Sequence, residues 1–540
     1  MNYEELYATF EWDPPAHFNF ATDIIDKWAE SNPNQLAMIW VDGSDNTGHW
    51  NEEKRTYADI SRRSKQLCNA LLAQGVQRGD VVILMLGREL EWWEIMTAGL
   101  RMGMVLSPGT TQMTEKDIAY RIKASDATCF ITTEAHAAKL EAVESQCPTL
   151  KSKIITDGTR AGWASYHDIV GQASDSFDQP VTDSTADALC YFTSGTTGNP
   201  KMVLHTHANY ALGHDITGRY WLDQKPSDLH WNISDTGWAK AAWSSYFGPW
   251  NCGSTLFIYN ALGFDPAKTL EILQQYPITT LCGPPTVYRM LVLQNLSQYQ
   301  FPTLRHCTSA GEPLNPEVIE TWQKATNCII RDGYGQTETV LICGNFPSVE
   351  TRYGSMGKPA PGMDLQVIDE QGNILPPGTE GDIALNVVPT RPAGLFKEYW
   401  KDAERTSSSF VGDWYITGDR AYMDEDGYFW FVGRADDVII SAGYRIGPFE
   451  VESALLEHPA VAESAVVASP DDVRGAVVKA FIVLMAGVAG DDSLIQEIQD
   501  HVKNVTAPYK YPRKIEFVES LPKTISGKIR RVELRARETG

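Results

Sequence analysis

The chain has 540 residues, 43% hydrophobic and 21% charged, which is enough for at least two domains with ordinary globular cores. Its formal net charge of −23 argues against a general binder of nucleic acid or of anionic membranes. An anionic substrate would therefore need a local basic pocket.

The cysteines and the N-terminus indicate the cellular compartment. Nine cysteines are scattered from Cys68 to Cys343 without a Cys-x-x-Cys pair, which is typical of reduced, buried thiols rather than of a disulfide framework or a zinc site. The segment Met1–Glu5 is acidic and no apolar stretch follows it, so we expect no targeting peptide. The longest apolar runs are the size of a strand, so we expect no membrane span. These features together predict a cytoplasmic protein.

Short β-rich runs alternate with helical patterns through the first 340 residues. Val81–Leu86 is predicted to be a buried strand, and Glu89–Met102 the helix that follows it. This alternation predicts an α/β fold with parallel layers. Further strands are predicted at Cys129–Thr132, Lys153–Thr156, Thr255–Ile258 and Thr279–Cys282.

The pattern changes near residue 355, where short strands and turns follow one another. Leu365–Leu375 contains a hairpin signature, so we expect a small β subdomain over about residues 355–430. Beyond Arg434 the sequence predicts a small, mobile α+β domain with a helix at Pro448–Leu456. We place the large domain at 1–434, the hinge at 435–436 and the small domain at 437–540. The small domain has predicted strands near Ala465–Val467 and at Val477–Leu484.

A loop rich in hydroxyl groups and glycine follows the apolar run Ala188–Phe192. Thr193–Lys201 contains three threonines, one serine, two glycines and one lysine. Such a loop can wrap N–H groups and hydroxyls around a phosphate chain. It is not a Walker A loop, because Asn199 and Pro200 separate Gly198 from the lysine.

More polar clusters occur where apolar runs end, as do ligand sites in open α/β sheets. Together they supply what a nucleotide requires: an aromatic face, a carboxylate for the ribose, another for Mg²⁺, and a cation for developing charge. These clusters are Ser309–Pro313, Asp332–Glu338, Tyr415–Arg420, Gly433–Asp437 and Pro522–Lys528.

These ordered motifs resemble those of the adenylate-forming superfamily, which contains acyl-CoA synthetases, peptide-synthetase adenylation domains and luciferases. The resemblance runs from about residue 20 to the end of the chain. It is greatest to the medium-chain acyl-CoA synthetases, with which the chain shares stretches at Asn232–Trp238, Asp437–Pro448 and Thr506–Lys514.

The resemblance implies a set of ATP-binding residues. The phosphate loop would contribute Thr193, Ser194, Gly195, Thr196, Thr197, Gly198 and Lys201. The adenine would be framed by two segments, Gly311, Glu312 and Pro313 in one and Asp332, Gly333 and Tyr334 in the other. Gly335 and Gln336 follow in the second motif. Asp419 would accept the ribose hydroxyls beside Arg434, and Gln112 would be a further nucleotide contact.

The resemblance also implies catalytic, hinge and CoA-binding residues. Thr337 would contact phosphate, Glu338 would bind Mg²⁺, and Lys528 would bridge the carboxylate and the α-phosphate. Asp436 would be the hinge. The alternative is that it is one of two solvated aspartates, but the domain break predicted at the same point favours the hinge. Arg445 would lie near the adenylate phosphate, and CoA would contact Ala442, Gly443, Tyr444, Arg474, Lys503, Tyr511 and Arg513.

The implied reaction joins a carboxylic acid to CoA through an acyl-AMP intermediate, with ATP, Mg²⁺ and CoA as its requirements. Acetate-specific relatives carry tryptophan at the position of Gly335, so glycine predicts a deeper pocket for a medium-chain, branched or aromatic acid. Trp238 would line this pocket or would be a core residue without a substrate role.

Two alternatives remain open from the sequence. The chain could be a stand-alone adenylation enzyme for another acceptor, although Ser234–Trp238 matches the synthetases better. It could also be a non-catalytic adenylate-binding protein, against which the presence of Glu338, Asp419 and Lys528 argues. Release of AMP with and without CoA would discriminate among these functions.

Overall fold

A computed structural model describes residues 2–43, 50–193, 200–261, 263–435, 437–441, 444–471, 474–523 and 529–539. Its strands, in chain order, are β1 Leu36–Asp42, β2 Asn51–Thr56, β3 Val81–Met85, β4 Val105–Gly109, β5 Cys129–Thr132, β6 Ser152–Ile155, β7 Ala164–Ser165, β8 Asp187–Thr193, β9 Lys201–Thr206, β10 Leu229–Asn232, β11 Thr255–Asn260, β12 Thr280–Gly283, β13 His306–Ala310, β14 Ile330–Gly335, β15 Leu341–Gly344, β16 Lys358–Pro359, β17 Leu365–Ile368, β18 Gly381–Asn386, β19 Glu398–Tyr399, β20 Phe410–Val411, β21 Trp414–Met423, β22 Phe429–Arg434, β23 Ile439–Ser441, β24 Tyr444–Ile446, β25 Val461–Asp471, β26 Gly475–Leu484 and β27 Lys514–Phe517.

The α-helices are α1 Tyr3–Thr9, α2 Lys27–Ser31, α3 Tyr57–Ala73, α4 Glu91–Met102, α5 Glu115–Ser125, α6 Glu134–Glu141, α7 Tyr166–Gly171, α8 His207–Ile216, α9 Ala239–Ala242, α10 Gly248–Asn251, α11 Pro266–Gln275, α12 Pro285–Val292, α13 Pro316–Thr326, α14 Ala403–Ser408, α15 Pro448–Leu456, α16 Asp492–Val505 and α17 Arg531–Thr539. Three π-helical segments (Ala21–Asp26, Thr217–Trp221 and Trp243–Phe247) and three 3₁₀ turns (Glu144–Gln146, Leu296–Gln298 and Pro508–Lys510) complete the described helical structure.

Two large sheets form the N-terminal part of the molecule. One has the strand order β19-β9-β8-β4-β3-β5-β6-β7, and the other has the order β16-β15-β14-β13-β12-β10-β11-β1-β2. Their central strands are parallel, as predicted. Antiparallel pairs lie at both ends of the nine-stranded sheet and at the β19 end of the other, whereas β7 at its opposite edge is parallel. Apolar residues of both sheets, such as Leu84 on β3 and Leu256 on β11, belong to one buried core.

The predicted strands and helices are present with small shifts at their ends. Strand β3 is buried along its whole length, as its uninterrupted apolar run predicts for a central parallel strand. The helix predicted from Glu89 begins at Glu91 and ends at Met102, where Gly103 adopts a left-handed conformation with φ of 78°. Glycine is favoured at such a C-terminal position because it has no Cβ.

A third sheet, which is antiparallel, contains β17, β18, β20, β21 and β22. The predicted hairpin at Leu365–Leu375 is only partly formed, since one isolated bridge joins Ile368 to Ile374. The main partner of β17 is β18, four of whose residues pair with Leu365–Ile368. The turn after β17 is closed by Asp369, which accepts hydrogen bonds from the backbone and side chain of Asn373.

The C-terminal part has its own buried core, built from β23, β25, β26, α15 and α16. Helix α15 has the predicted bounds, and the predicted strands lie inside the longer β25 and β26, which pair along most of their length. A large N-terminal domain with parallel sheets and a small C-terminal domain therefore agree with the predicted fold class. The position of the hinge stays a prediction, because Asp436 lies outside the described residues.

All nine cysteines are buried, as the sequence predicted, and carry free thiols. Across the described part of the chain, no helix combines the length and the apolar character that crossing a lipid bilayer requires.

Candidate active site

The predicted adenine frame lies at the carboxyl ends of two adjacent parallel strands. Strand β13 ends at Ala310, which pairs with Gly333 on β14. The Asp332 carboxylate is buried and accepts hydrogen bonds from the N–H groups of Leu314 (3.3 Å) and Gly333 (3.0 Å). Burial raises the pKa of Asp332 to about 7. Asp332 thus links β14, on which Gly333 and Tyr334 lie, to the loop after β13. That loop contains Gly311, Glu312 and Pro313.

Two predicted nucleotide residues donate hydrogen bonds to the carboxylate of a third. The Tyr334 hydroxyl donates to Asp419 Oδ2 at 2.6 Å, and Gln336 Nε2 donates to the same oxygen at 2.7 Å. Asp419 lies on β21, directly opposite Arg434 on β22. Burial and the nearby Asp419 charge raise the pKa of Tyr334 well above its usual value, so the phenol remains a hydrogen-bond donor.

Thr337 and Glu338 are held from two sides. His205 Nε2 lies 2.7 Å from the Thr337 carbonyl oxygen, and the Phe396 N–H donates to the Glu338 carbonyl at 2.7 Å. Burial lowers the pKa of His205 to about 3, so its imidazole is neutral and donates from Nε2. The Tyr399 hydroxyl donates to Glu338 Oε1 at 2.7 Å.

Lys201, at the start of β9, is close to this acidic group. Its ammonium lies 5.0 Å from the centre of the Tyr399 ring, a geometry that gives a cation–π attraction. Burial lowers the pKa of Lys201, and the charge of Glu338 opposes that shift. The last residue of the predicted phosphate loop is therefore beside the predicted metal ligand. Of that loop, Ser194, Gly195, Thr196, Thr197 and Gly198 lie outside the described residues, whereas Thr193 ends β8.

The space beside Gly335 is occupied by other residues. A Cβ atom at this position would lie 2.2 Å from the Val340 carbonyl oxygen and 2.4 Å from Cη2 of Trp243. Trp243 begins a π-helical segment and donates from Nε1 to the Tyr210 hydroxyl at 3.0 Å. The volume that glycine leaves free is thus filled by an indole ring, and the depth of any acyl pocket here depends on Trp243.

Trp238 lies beyond the end of β10, and Gln112 lies beyond the end of β4 in the other large sheet. Trp238 precedes α9, and its indole nitrogen is buried without a hydrogen-bond partner in the described structure. Such a buried donor is costly unless a ligand or water satisfies it. Gln112 follows β4, and its side chain is exposed. The described contacts do not join Gln112 to the cluster around Asp419.

Three of the predicted CoA-binding residues form one cluster. Lys503 and Arg513 both approach the Tyr511 ring, at 4.4 and 4.8 Å, and Arg513 also donates to the Tyr511 hydroxyl at 2.9 Å. Tyr444, which is 52% exposed, instead stacks on Tyr509 with ring centres 4.4 Å apart. Arg474 donates from its backbone to Asp471 at 2.8 Å.

Several predicted residues lie beyond what the structure describes. They are Lys528, Asp436, Ala442, Gly443 and the side chain of Arg445. Their proposed roles stay predictions.

The sequence reasoning missed four residues that contact the site: His205, Tyr399, Tyr415 and Trp243. Tyr415 donates to Gln336 Oε1 at 3.2 Å. Tyr415 begins the predicted cluster Tyr415–Arg420 but was given no role there. The other three belong to no motif with a fixed spacing, although His205 lies on the strand that follows the phosphate loop.

Comparison with known proteins gives two family matches. A model described as "AMP-binding enzyme" matches residues 25–400, and one described as "AMP-binding enzyme C-terminal domain" matches residues 450–528. Among curated proteins, acyl-coenzyme A synthetase ACSM3, mitochondrial, of Homo sapiens is 51% identical over 546 residues, which cover 99% of this chain and 92% of the relative. Acyl-coenzyme A synthetase ACSM4, mitochondrial, of Homo sapiens is 50% identical over 533 residues, with 97% and 91% covered.

Among solved structures, the anthranilate CoA ligase AuaEII in complex with anthranoyl-AMP matches with a TM-score of 0.90 and 29% identity. The match covers 97% of this chain and 98% of the ligase. The predicted cytoplasmic location is wrong by this comparison, because the curated relatives are named as mitochondrial proteins.

Proposed function

Because the chain belongs to the AMP-binding enzyme family, whose two models match most of its length, we propose that it is an ATP-dependent acyl-CoA synthetase. It activates a medium-chain carboxylic acid, including branched or aromatic acids, as acyl-AMP and then transfers the acyl group to CoA. The observation that carries this proposal is the convergence of Tyr334, Gln336 and Asp419 next to the group formed by Lys201, Tyr399 and Glu338.

The proposed reaction has two steps, and the first requires both a nucleotide-binding group and a cationic group. A carboxylate is a poor acyl donor because its leaving group would be oxide. Its oxygen attacks the α-phosphorus of ATP, the bond to pyrophosphate breaks, and a mixed anhydride forms. The CoA sulfur then attacks the acyl carbon and expels AMP, which is a good leaving group. The first step brings an anion to a polyphosphate, so it needs fixed positive charge.

Several of the predicted site residues have a part in the proposed first step. Asp419 accepts the ribose hydroxyls, with Tyr334 and Gln336 orienting its carboxylate. Tyr334 and the loop Gly311–Pro313 enclose the adenine. Lys201 neutralises the β- and γ-phosphates, and Thr337 contacts phosphate from a backbone braced by His205. Lys528 supplies the cation at the α-phosphate.

The residues around Glu338 fit a magnesium ion. Protein Mg²⁺ is commonly held by one or two carboxylates together with substrate phosphates rather than by a full protein cage. Glu338 offers such a carboxylate, and Tyr399 binds one of its oxygens. When bound, Mg²⁺ would supply charge neutralisation of the phosphates. The described residues contain no group of three or more histidine, cysteine or acidic side chains that could hold a metal ion by itself.

Two tryptophans limit the space for an acyl group beside β14. The indoles of Trp221 and Trp243 lie against Gly333 and Gly335 and take the volume that side chains there would occupy, so the depth open to an acyl group would depend on Trp243. The unpartnered Nε1 of Trp238 faces no protein acceptor in the described structure. The bound anthranoyl-AMP of the ligase named above supports an aromatic acid as one candidate.

The second step requires a different part of the chain at the site. We place the division between the domains at residues 434 and 437, so that rotation about Asp436 withdraws Lys528 and presents Gly443 and the CoA-binding face. Lys503, Tyr511 and Arg513 support that face because they form one cationic and aromatic group. Such a group suits the phosphates and the purine ring of CoA.

One assay tests the proposal. Purified protein is given ATP, Mg²⁺ and acids from acetate to decanoate plus benzoate, with and without CoA, and AMP, pyrophosphate and acyl-CoA are measured. We expect AMP release that requires the acid and rises strongly with CoA, with a maximum at medium chain length. Acid-dependent pyrophosphate exchange without thioester formation would favour another acceptor, and the absence of both reactions would favour a non-catalytic adenylate-binding protein.

A further inference from the structure

Tyr399 contacts both the predicted metal ligand and the predicted phosphate-binding lysine. Its hydroxyl donates to Glu338 Oε1 at 2.7 Å, and its ring face lies 5.0 Å from the ammonium of Lys201. The tyrosine is only 5% exposed. A hydroxyl that donates to a carboxylate oxygen carries its own proton, so Tyr399 is neutral.

The fold fixes this contact through two neighbouring strands. Strand β19, which contains Tyr399, pairs with β9, which begins at Lys201. The Trp400 N–H donates to the Met202 carbonyl at 2.8 Å, so the chain on either side of both residues is held in register. From the other direction, the Phe396 N–H binds the Glu338 carbonyl at 2.7 Å. Tyr399 therefore has little freedom to leave its position.

The arrangement has a consequence for charge. Lys201 and Glu338 carry opposite charges, and both lie against Tyr399. In the described part of the chain, each contacts the neutral tyrosine rather than forming a direct ion pair with the other. An ion pair would neutralise both groups before any ligand arrived, and both would have to be separated when a metal and a phosphate bound.

We propose that Tyr399 is a positioning residue that keeps Glu338 and Lys201 apart, so that the carboxylate stays available to a divalent cation and the ammonium to the polyphosphate. The inference rests on the proposed function, because it assigns the cation and the polyphosphate to these two groups. Hydrogen bonds to a metal-binding carboxylate orient it, and their loss typically weakens metal binding about 10–100-fold.

The test measures metal binding directly. Mn²⁺ replaces Mg²⁺, α,β-methylene-ATP replaces ATP, and bound Mn²⁺ is followed by electron paramagnetic resonance without any acid present. Tyr399→Phe keeps the ring and loses the hydroxyl, so Mn²⁺ binding should weaken about 10–100-fold. Tyr428→Phe is the matched control, since it loses one hydroxyl that donates to the Glu350 carbonyl at 2.8 Å away from the site. It should bind Mn²⁺ within twofold of the parent.

A second variant separates the ring from the hydroxyl. Tyr399→Leu removes both contacts, so affinity for α,β-methylene-ATP in the presence of EDTA should fall about two- to fivefold, the size expected for a partly exposed cation–π contact. Tyr399→Phe should leave this metal-free affinity unchanged. Melting curves for each variant verify that it is folded before binding is measured.

Glu338→Gln distinguishes a failure of the proposed metal site from a failure of the positioning role of Tyr399. If Glu338→Gln weakens Mn²⁺ binding but a folded Tyr399→Phe does not, the positioning role of Tyr399 is wrong while the metal role of Glu338 stands. If Glu338→Gln binds Mn²⁺ as tightly as the parent, Glu338 is not the ligand, and both the proposed metal site and this inference fail.

Discussion

The Tyr334 hydroxyl donates a hydrogen bond of 2.6 Å to Asp419 Oδ2 across a sequence separation of 85 residues. This bond joins the end of a parallel strand in one sheet to a strand of the antiparallel sheet. Gln336 donates to the same oxygen at 2.7 Å, so the orientation of one carboxylate depends on two neighbours.

Tyr334→Phe should therefore weaken ATP binding. The variant loses a bond to a charged acceptor, a contact worth about 1.5–3 kcal/mol, and a rise in the KM for ATP of about tenfold corresponds to about 1.4 kcal/mol. The KM for the acid should not change. Steady-state kinetics with Tyr428→Phe as the control would measure this. An unchanged KM for ATP in a folded variant would mean that Tyr334 does not orient the ribose-binding carboxylate.

The raised pKa of the buried Asp332 predicts how the stability of the protein depends on pH. Burial raises its pKa to about 7 from an ordinary value of 3.8, so the folded protein binds an extra proton between these two values. Stability from this group is fully present below about pH 4 and is lost as the pH rises through about 7. Asp332→Asn has no such proton to lose.

The Tm of Asp332→Asn should therefore increase relative to the Tm of the parent as the pH rises from 4.5 to 8. Differential scanning calorimetry at four pH values would measure this difference. The exposed Asp13→Asn serves as the control, and its difference from the parent should stay constant. A pH-independent difference for Asp332→Asn would show that the carboxylate is already ionised across this range.

Gly335→Ala should destabilise the protein. Its Cβ would meet the Val340 carbonyl oxygen at 2.2 Å, a backbone atom that cannot move aside cheaply, and overpacking of this kind typically costs about 1–3 kcal/mol. Gly171→Ala is the matched control, because it lies at the exposed end of α7 with no atom within 4 Å of a new Cβ. Thermal melts of both variants decide the point. Equal Tm values would mean that the contact around Gly335 relaxes easily.

Lys528→Ala should slow adenylation while sparing the second half-reaction. Removal of one group that stabilises developing charge typically reduces the rate about 10²–10³-fold. Pyrophosphate exchange would report the first step, and thioester formation from supplied acyl-AMP would report the second. Equal losses in both assays would contradict the assignment of Lys528 to the first step alone.

Asp436→Pro should have the opposite selectivity. Proline fixes φ near −65° and would restrict rotation at the proposed hinge, whereas formation of acyl-AMP needs no rotation. Acid-dependent pyrophosphate exchange should survive and CoA-dependent turnover should fall. Normal acyl-CoA formation by this variant would place the hinge elsewhere.

The sequence by itself determined the features that are local. The unbroken apolar run of β3 predicts a buried parallel strand, and the helix at Pro448–Leu456 has the predicted bounds. The order of Asp332, Tyr334, Glu338, Asp419 and Lys528 was enough to indicate the family. Such signals are readable because the residues that make them are close together or recur at a known order.

Only the tertiary structure decided which side chains support those motifs. Tyr399 reaches Glu338 from 61 residues away, and His205 reaches Thr337 from 132 residues away. Both contacts follow from the pairing of β9 with β19 and from packing between sheets, which no local spacing encodes. The same holds for Gly335, where the sequence indicates free volume, but the indole of Trp243, folded back from a distant π-helical segment, fills it.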